Sequence, residues 1–115
     1  MKKVALFAFN GEGMCFIHVL LNALDMNEKG YDVKIVIEGA ATKLVPELVK
    51  KETPFFSLYN RAKSLGIIEG ACKACCQKMG TLEDAKAEGL ALLDDMSGHP
   101  SISGFIEKGF DVMTF

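Results

Sequence analysis

A three-layer α/β/α sandwich with a mostly parallel sheet of four or five strands is the fold class this sequence predicts, on three observations. Val4 to Phe9 is a near-continuous apolar run, the pattern of a strand buried on both faces. A second run, Asp32-Val33-Lys34-Ile35-Val36-Ile37, is dominated by β-branched residues. Around these runs lie segments of about 10 to 20 residues with helical periodicity, and strands spaced in this way require right-handed parallel crossovers. The length of 115 residues suits one domain, spanning 1–115, with its own core.

After the first strand, Asn10-Gly11-Glu12-Gly13 is a turn. From Met14 to Lys29 the apolar residues Ile17, Leu20, Leu21 and Leu24 recur with helical spacing, and Gly30 stands where a glycine ends a helix. The second strand, 32–37, stops at Glu38-Gly39. Ala40 to Lys51 reads as helical, with Pro46 beginning or kinking its regular part. Thr53-Pro54 restarts a helix as cap and first residue, with Phe55, Leu58, Tyr59, Ala62 and Leu65 on its apolar face and Gly66 at its end. Ile67 to Ala71 is the third strand, and the cysteine-rich stretch after it is a short helix that Gly80 interrupts. Thr81-Leu82-Glu83-Asp84 has capping-box spacing and opens another helix. Leu90 to Leu93 is assigned to a short fourth strand, although a helix through it has the same pattern. Pro100 opens a helix with Ile102, Phe105 and Ile106 toward the core, and Phe110 to Phe115 is the final strand.

Half of the residues are apolar and about a quarter charged, ordinary usage for a globular chain. A formal charge of −2 leaves no basic footprint, so neither nucleic acid nor a membrane surface is an expected partner. No stretch approaches the roughly 18 to 20 apolar residues of a membrane span, and the opening Met1-Lys2-Lys3 with its apolar run is too short for a signal peptide. A cytoplasmic location is expected, and there four cysteines favour thiol roles over structural disulfides.

Three of those cysteines, Cys72, Cys75 and Cys76, fall within five residues. Cys72 stands where a strand ends and a helix begins, where unpaired N–H groups and the helix dipole favour a thiolate. In open α/β sheets ligands bind beyond the carboxyl ends of the strands. The loops there are 10–15, 38–41, 72–76 and 94–99, so Asn10, Gly11, Lys73 and His99 are binding candidates beside Cys72. Under a flavodoxin-like strand order the third strand adjoins the first, and Cys72 then faces the Asn10–Gly13 turn. Lys73 adds positive charge, and His99 is a candidate base or proton donor.

The sequence resembles the DsrE-like family of small sulfur-relay proteins, which includes DsrE/DsrF and the YchN-like and TusD-like proteins. The resemblance rests on Gly66-Ile67, Cys72 and Gly80, the opening strand with its Asn10-Gly11 turn, and the closing Glu107-Lys108-Gly109-Phe110-Asp111-Val112 pattern. It implies a sandwich assembled as a dimer, trimer or hexamer. It also implies that Cys72 carries sulfur as a persulfide between donor and acceptor proteins or small persulfides. The chain departs from the family in having Cys75 and Cys76 as well, and Lys78-Met79 where an Arg usually precedes the glycine.

Two further readings come from other classes. Cys72-Lys73-Ala74-Cys75 is a Cys-x-x-Cys motif, which suits a thiol–disulfide oxidoreductase or makes Cys75 a resolving thiol. Cys76, turned about 100° further round a helix, reads as packing. A non-catalytic oligomeric or metal-binding module is the other reading. A single Cys-x-x-Cys supplies two of the four ligands of structural zinc, so His99, His18 or Cys15 would have to complete the set, and no metal is assigned. His18 reads as a helix-surface or interface residue, and Cys15, at the start of that helix, either faces Cys72 across the rim or is simply buried. No cofactor is expected, since Asn10-Gly11-Glu12-Gly13 is not a dinucleotide fingerprint and carries no phosphate-binding lysine.

Overall fold

A computed structural model describes residues 1–115. Five strands form one sheet: β1 Lys3–Ala8, β2 Asp32–Ile37, β3 Ile68–Cys72, β4 Leu92–Leu93 and β5 Asp111–Thr114. Their spatial order is β4-β3-β2-β1-β5, and every pairing is parallel. The helices are α1 Gly13–Glu28, α2 Val45–Leu48, α3 Phe56–Ser64, α4 Lys73–Met79, α5 Leu82–Ala87 and α6 Ile102–Glu107, with a 3₁₀ turn over Gly39–Leu44. The layered α/β/α sandwich is therefore the fold. The adjacency of third and first strands is not the one found: β3 adjoins β2, and β1 lies between β2 and β5.

The chain steps from β1 to β4 in one direction, so right-handed crossovers put α1 to α5 on one face of the sheet. Alternation along the strands shows it. Val4, Leu6 and Ala8 join Phe16, Leu20, Leu48, Tyr59 and Cys76 in a core of 23 buried residues, while Ala5 and Phe7 point the other way. The return from β4 to β5 crosses three strands, and only α6 covers that second face, where Phe105 packs edge-on against Phe7 and Phe110. The apolar cluster on that face has only four buried residues.

Local corrections have physical causes. On α1 the buried stripe is Phe16, Val19, Leu20, Ala23 and Leu24, which turns Leu21 toward solvent. The 40–51 segment is a 3₁₀ turn and a single α turn instead of one helix, with Pro46 near the start of the α turn as expected. Thr53 does not cap α3, because its hydroxyl donates to the carbonyls of Glu47 and Lys50, and the helix starts at Phe56. Thr81 likewise forms no capping box, since its hydroxyl donates to Thr42 O and ties α5 to the 3₁₀ turn. At α6 the cap is Ser101, whose Oγ accepts the Gly104 N–H, and Ile106 is 57% exposed instead of facing the core. The fourth strand is confined to Leu92–Leu93.

An irregularity in β3 sets its end beside the end of β2. Ile68 pairs with Ile35 but Gly70 with Val36, so Glu69 is an extra residue in β3. This bulge advances the rest of β3 by one position, and with Ala71 beside Ile37 the next residues, Cys72 and Glu38, become neighbours. Gly70 permits the close approach of β4, since a Cβ there would collide with Ala91 O.

Candidate functional site

Four chain segments meet at the carboxyl ends of β2 and β3. Glu38 follows β2 and is buried, its Oε1 accepting the Gly39 N–H at 3.1 Å. Cys72 ends β3, is fully buried and caps α4, its Sγ accepting the Cys75 N–H at 3.4 Å. Cys75 lies on the first turn of α4, half-buried, and its thiol donates to Glu38 Oε1 at 3.2 Å. His99 comes from the β4–α6 loop, with Nδ1 3.1 Å from Cys72 Sγ, 3.7 Å from Cys75 Sγ and 3.9 Å from Glu38 Oε1. Oε1, the two sulfurs and Nδ1 all lie within 4.8 Å of one another.

The loop carrying His99 is built for this. Met96 and His99 exchange backbone hydrogen bonds at 2.7 and 2.9 Å, with Ser97 and Gly98 between them at φ +52° and +89°. Two central residues at positive φ mark a tight turn of type I′ character, which suits Gly at its second position. Gly98 O accepts the Ala74 N–H at 2.9 Å, one of the free donors at the start of α4. The turn is thus fastened to the helix that carries Cys75, and His99 is aimed across it.

The electrostatics differ from the expectation at Cys72. Burial pushes the Cys72 thiol well up, and the carboxylate of Glu38 works in the same direction; the Cys75 N–H that favours a thiolate does not offset them. Burial also raises the Cys75 and Cys76 thiols. A helix N-terminus stabilises an anion by about 1 kcal/mol, less than full burial of a charge costs. Both site thiols are protonated at neutral pH unless a base or a cation takes the proton.

Of the residues singled out in the sequence, Cys72, Cys75 and His99 converge. Lys73 is turned toward Asp94, with 3.8 Å between their charged atoms, so its charge is shared there. Asn10 accepts the Glu12 N–H at 2.8 Å and shapes the turn before α1. Gly11 lies against the 3₁₀ turn, where a Cβ would sit 2.7 Å from Lys43 Cε. Neither belongs to the thiol cluster, because β2 stands between β1 and β3. Cys76 is in the core, and Cys15 and His18, on α1, lie outside the cluster. Glu38 is the residue that sequence reasoning passed over. Its signal was a lone acid closing an apolar strand directly before a glycine. A groove of about 180 Å³ opens beside β4, lined in part by Glu69, Asp94, Asp95 and Phe105, and includes none of the four cluster residues.

No protein-family model matches the chain. An uncharacterised protein of Methanocaldococcus jannaschii, MJ0733, is 30% identical over 97 residues, covering 84% of this chain and 77% of that one. An uncharacterised protein of Archaeoglobus fulgidus is 49% identical over 41 residues, 36% of this chain and 67% of that protein. Among solved structures, the conserved protein of unknown function BT1422 from Bacteroides thetaiotaomicron superposes with a TM-score of 0.74 over 99% of this chain and 95% of its own, at 18% identity. That likeness is one of fold.

Proposed function

Because the chain belongs to the same family as the uncharacterised Methanocaldococcus jannaschii protein, whose name assigns no activity, we propose a function from the chemistry of the rim. The chain is a DsrE-like sulfur-relay protein of the reducing cytoplasm that takes sulfane sulfur onto a cysteine as a persulfide and passes it on. The supporting observation is the pairing of two thiols with a carboxylate and an imidazole, with Cys75 on Glu38 Oε1 at 3.2 Å and Cys72 on His99 Nδ1 at 3.1 Å.

Burial reverses the roles expected for the two thiols. Cys75 is the one a donor can reach, and Glu38 is placed to take its proton as attack begins. The Cys75 sulfur bonds to the outer sulfur of a donor R–S–SH, the donor's S–S bond breaks, and R–S⁻ leaves with the proton from Glu38. An acceptor thiolate then attacks the outer sulfur of Cys75–S–SH and restores the Cys75 thiolate. Without an acceptor, Cys72 attacks the inner sulfur instead. HS⁻ departs, and the two thiols end oxidised as a Cys72–Cys75 disulfide while the sulfane sulfur is reduced. His99 holds the proton that Cys72 gives up.

Intact-mass spectrometry of the reduced, chelator-treated chain after polysulfide tests this. A gain of about 32 Da, absent in Cys75→Ser and longer-lived in Cys72→Ser, is expected. No gain in Cys72→Ser, which lacks the resolving thiol, overturns it. The proximity of the two sulfurs also supports a thiol–disulfide oxidoreductase, for which the mark is a loss of about 2 Da in the native chain with no sulfur adduct in Cys72→Ser.

Assembly into a homo-oligomer belongs to the same proposal. The thinly covered face and the β5 edge leave Ile106, Met113 and Phe115 exposed, apolar surface suited to a second copy. Light scattering that gives a monomer mass would remove this part.

A further inference from the structure

We propose that Glu38, Cys72, Cys75 and His99 form a four-coordinate site for a thiophilic divalent cation of the zinc class. This inference stands apart from sulfur relay and does not need it. It rests on geometry, on charge and on the donor set.

Bonds of about 2.3 Å to sulfur and 2.0–2.2 Å to nitrogen and oxygen give tetrahedral edges of about 3.3–3.8 Å. Four edges of the cluster measure 3.1, 3.2, 3.7 and 3.9 Å, and all six are within 4.8 Å. Four donors thus already stand within about the span of one tetrahedral shell.

Charge points the same way. Glu38 is buried and the one basic side chain within 4.0 Å of it is the His99 imidazole, while no lysine or arginine enters the group. A divalent cation neutralises the carboxylate and converts both thiols to thiolates, which outweighs the burial that otherwise keeps them protonated. Two of the ligands would also be held by backbone: the Cys75 N–H already points at Cys72 Sγ, and the Gly39 N–H at the Glu38 carboxylate Oε1. Outer contacts of this kind orient ligands and tune the metal.

The donor set narrows the ion. Two thiolates exclude magnesium and calcium, and an imidazole with one carboxylate suits zinc or its analogues cobalt and cadmium. Cys72 and Glu38 lie at the buried floor, and Cys75 and His99 at the half-exposed mouth, which gives the ion a way in. Bound there, it would pin the ends of β2 and β3, the first turn of α4 and the β4–α6 loop to one another. The same thiols serve sulfur uptake, so one molecule does one or the other.

The reduced, chelator-treated full chain is titrated with Co²⁺ and followed by absorption, with Zn²⁺ then added as competitor. Saturation at one ion per chain is expected, with the intense visible bands of tetrahedral cobalt, thiolate-to-cobalt charge transfer, and loss of both on adding Zn²⁺. Glu38→Gln and His99→Ala should each weaken binding at least about ten-fold, and Cys15→Ser should not change it. In the native chain, Zn²⁺ should slow alkylation of Cys75, but not of Cys15, at least about ten-fold. The second readout needs no variant and so survives any that fails to fold. A weak octahedral spectrum, unchanged affinity in folded Glu38→Gln and His99→Ala variants, or equal protection of all exposed thiols overturns the proposal. Since sulfur uptake is assayed without metal, failure there leaves the cobalt result standing, and the reverse holds.

Discussion

Cys75 and Cys76 are consecutive in the chain and belong to two different regions. Cys76 is fully buried in the core of 23 residues beneath α1 to α5, with the Thr81 hydroxyl as a polar neighbour. Cys75, about 100° round the same helix, meets a carboxylate, an imidazole and a second thiol at the rim. One residue type thus serves packing in one region and chemistry in the other, because α4 begins at the boundary between them. The core is held by many weak apolar contacts, and the rim by a few directed polar ones. Changes in the core should therefore be read in stability, and changes at the rim in reactivity.

The largest test of that division is Phe16→Ala. Phe16 is buried on α1 and packs edge-on against Phe55 at 6.2 Å. Removing the ring leaves a cavity under the sheet and should cost about 3–5 kcal/mol in urea unfolding. The alkylation rate of Cys75 in the molecules that remain folded should not change. Altered rates at equal folded population would show that core and rim are not separate.

Cys76→Ser comes next, since it places a more strongly polar hydroxyl where a thiol is fully buried in the core. The expected cost is about 1–3 kcal/mol, against less than about 1 for Cys75→Ser at the half-exposed position. Equal costs for the two would erase the distinction between the neighbouring residues.

The layered fold was legible because its signals are local. Val4 to Phe9 reads as a doubly buried strand because both of its faces are covered, and β2 runs over the residues the sequence assigns to it. The rim was legible only in part. Cys72, Cys75 and His99 stood out by residue type and by position after strands. Glu38 did not, because a glutamate before a glycine is ordinary on any surface, and its burial depends on the β3 bulge and on helices that arrive from elsewhere in the chain. Asn10 and Gly11 were placed beside the thiols by a strand adjacency that no local pattern encodes. The cap misreadings at Thr53 and Thr81 share a cause: both hydroxyls found carbonyl partners outside the helix start they were assigned to.

The pH dependence of stability sharpens the comparison for a buried thiol. Burial raises the Cys72 thiol, so the folded chain keeps a proton that the unfolded chain releases above about pH 8.5. More protons on the folded state means that stability is complete below that pH and falls as pH rises beyond it, by at most about 1.4 kcal/mol per pH unit for each such thiol. Urea midpoints of the reduced, metal-free chain between about pH 8 and pH 10 should decline. Cys72→Ala should flatten the decline. A slope that Cys72→Ala leaves unaltered would assign it to other groups.

Gly98→Ala should have the smallest effect on stability and the most selective effect on the site. Gly98 holds φ at +89°, and its added Cβ would lie 3.3 Å from Ala74 Cβ at the start of α4. The strain of an L-residue in that conformation is about 1 kcal/mol, confined to an exposed loop. Relief comes from opening the Met96–His99 turn, and that carries Nδ1 away from Cys72 Sγ and loosens the Gly98 O contact with Ala74 N–H. The variant should unfold at nearly the native urea concentration while Cys75 reacts with iodoacetamide at a changed rate, cobalt affinity should fall, and the persulfide should live longer because Cys72 loses the base that takes its proton. His99→Ala should reproduce the chemical changes without the strain. If Gly98→Ala lowers stability but leaves thiol reactivity untouched, the turn is scaffolding for α4 alone and His99 reaches the thiols by some other support.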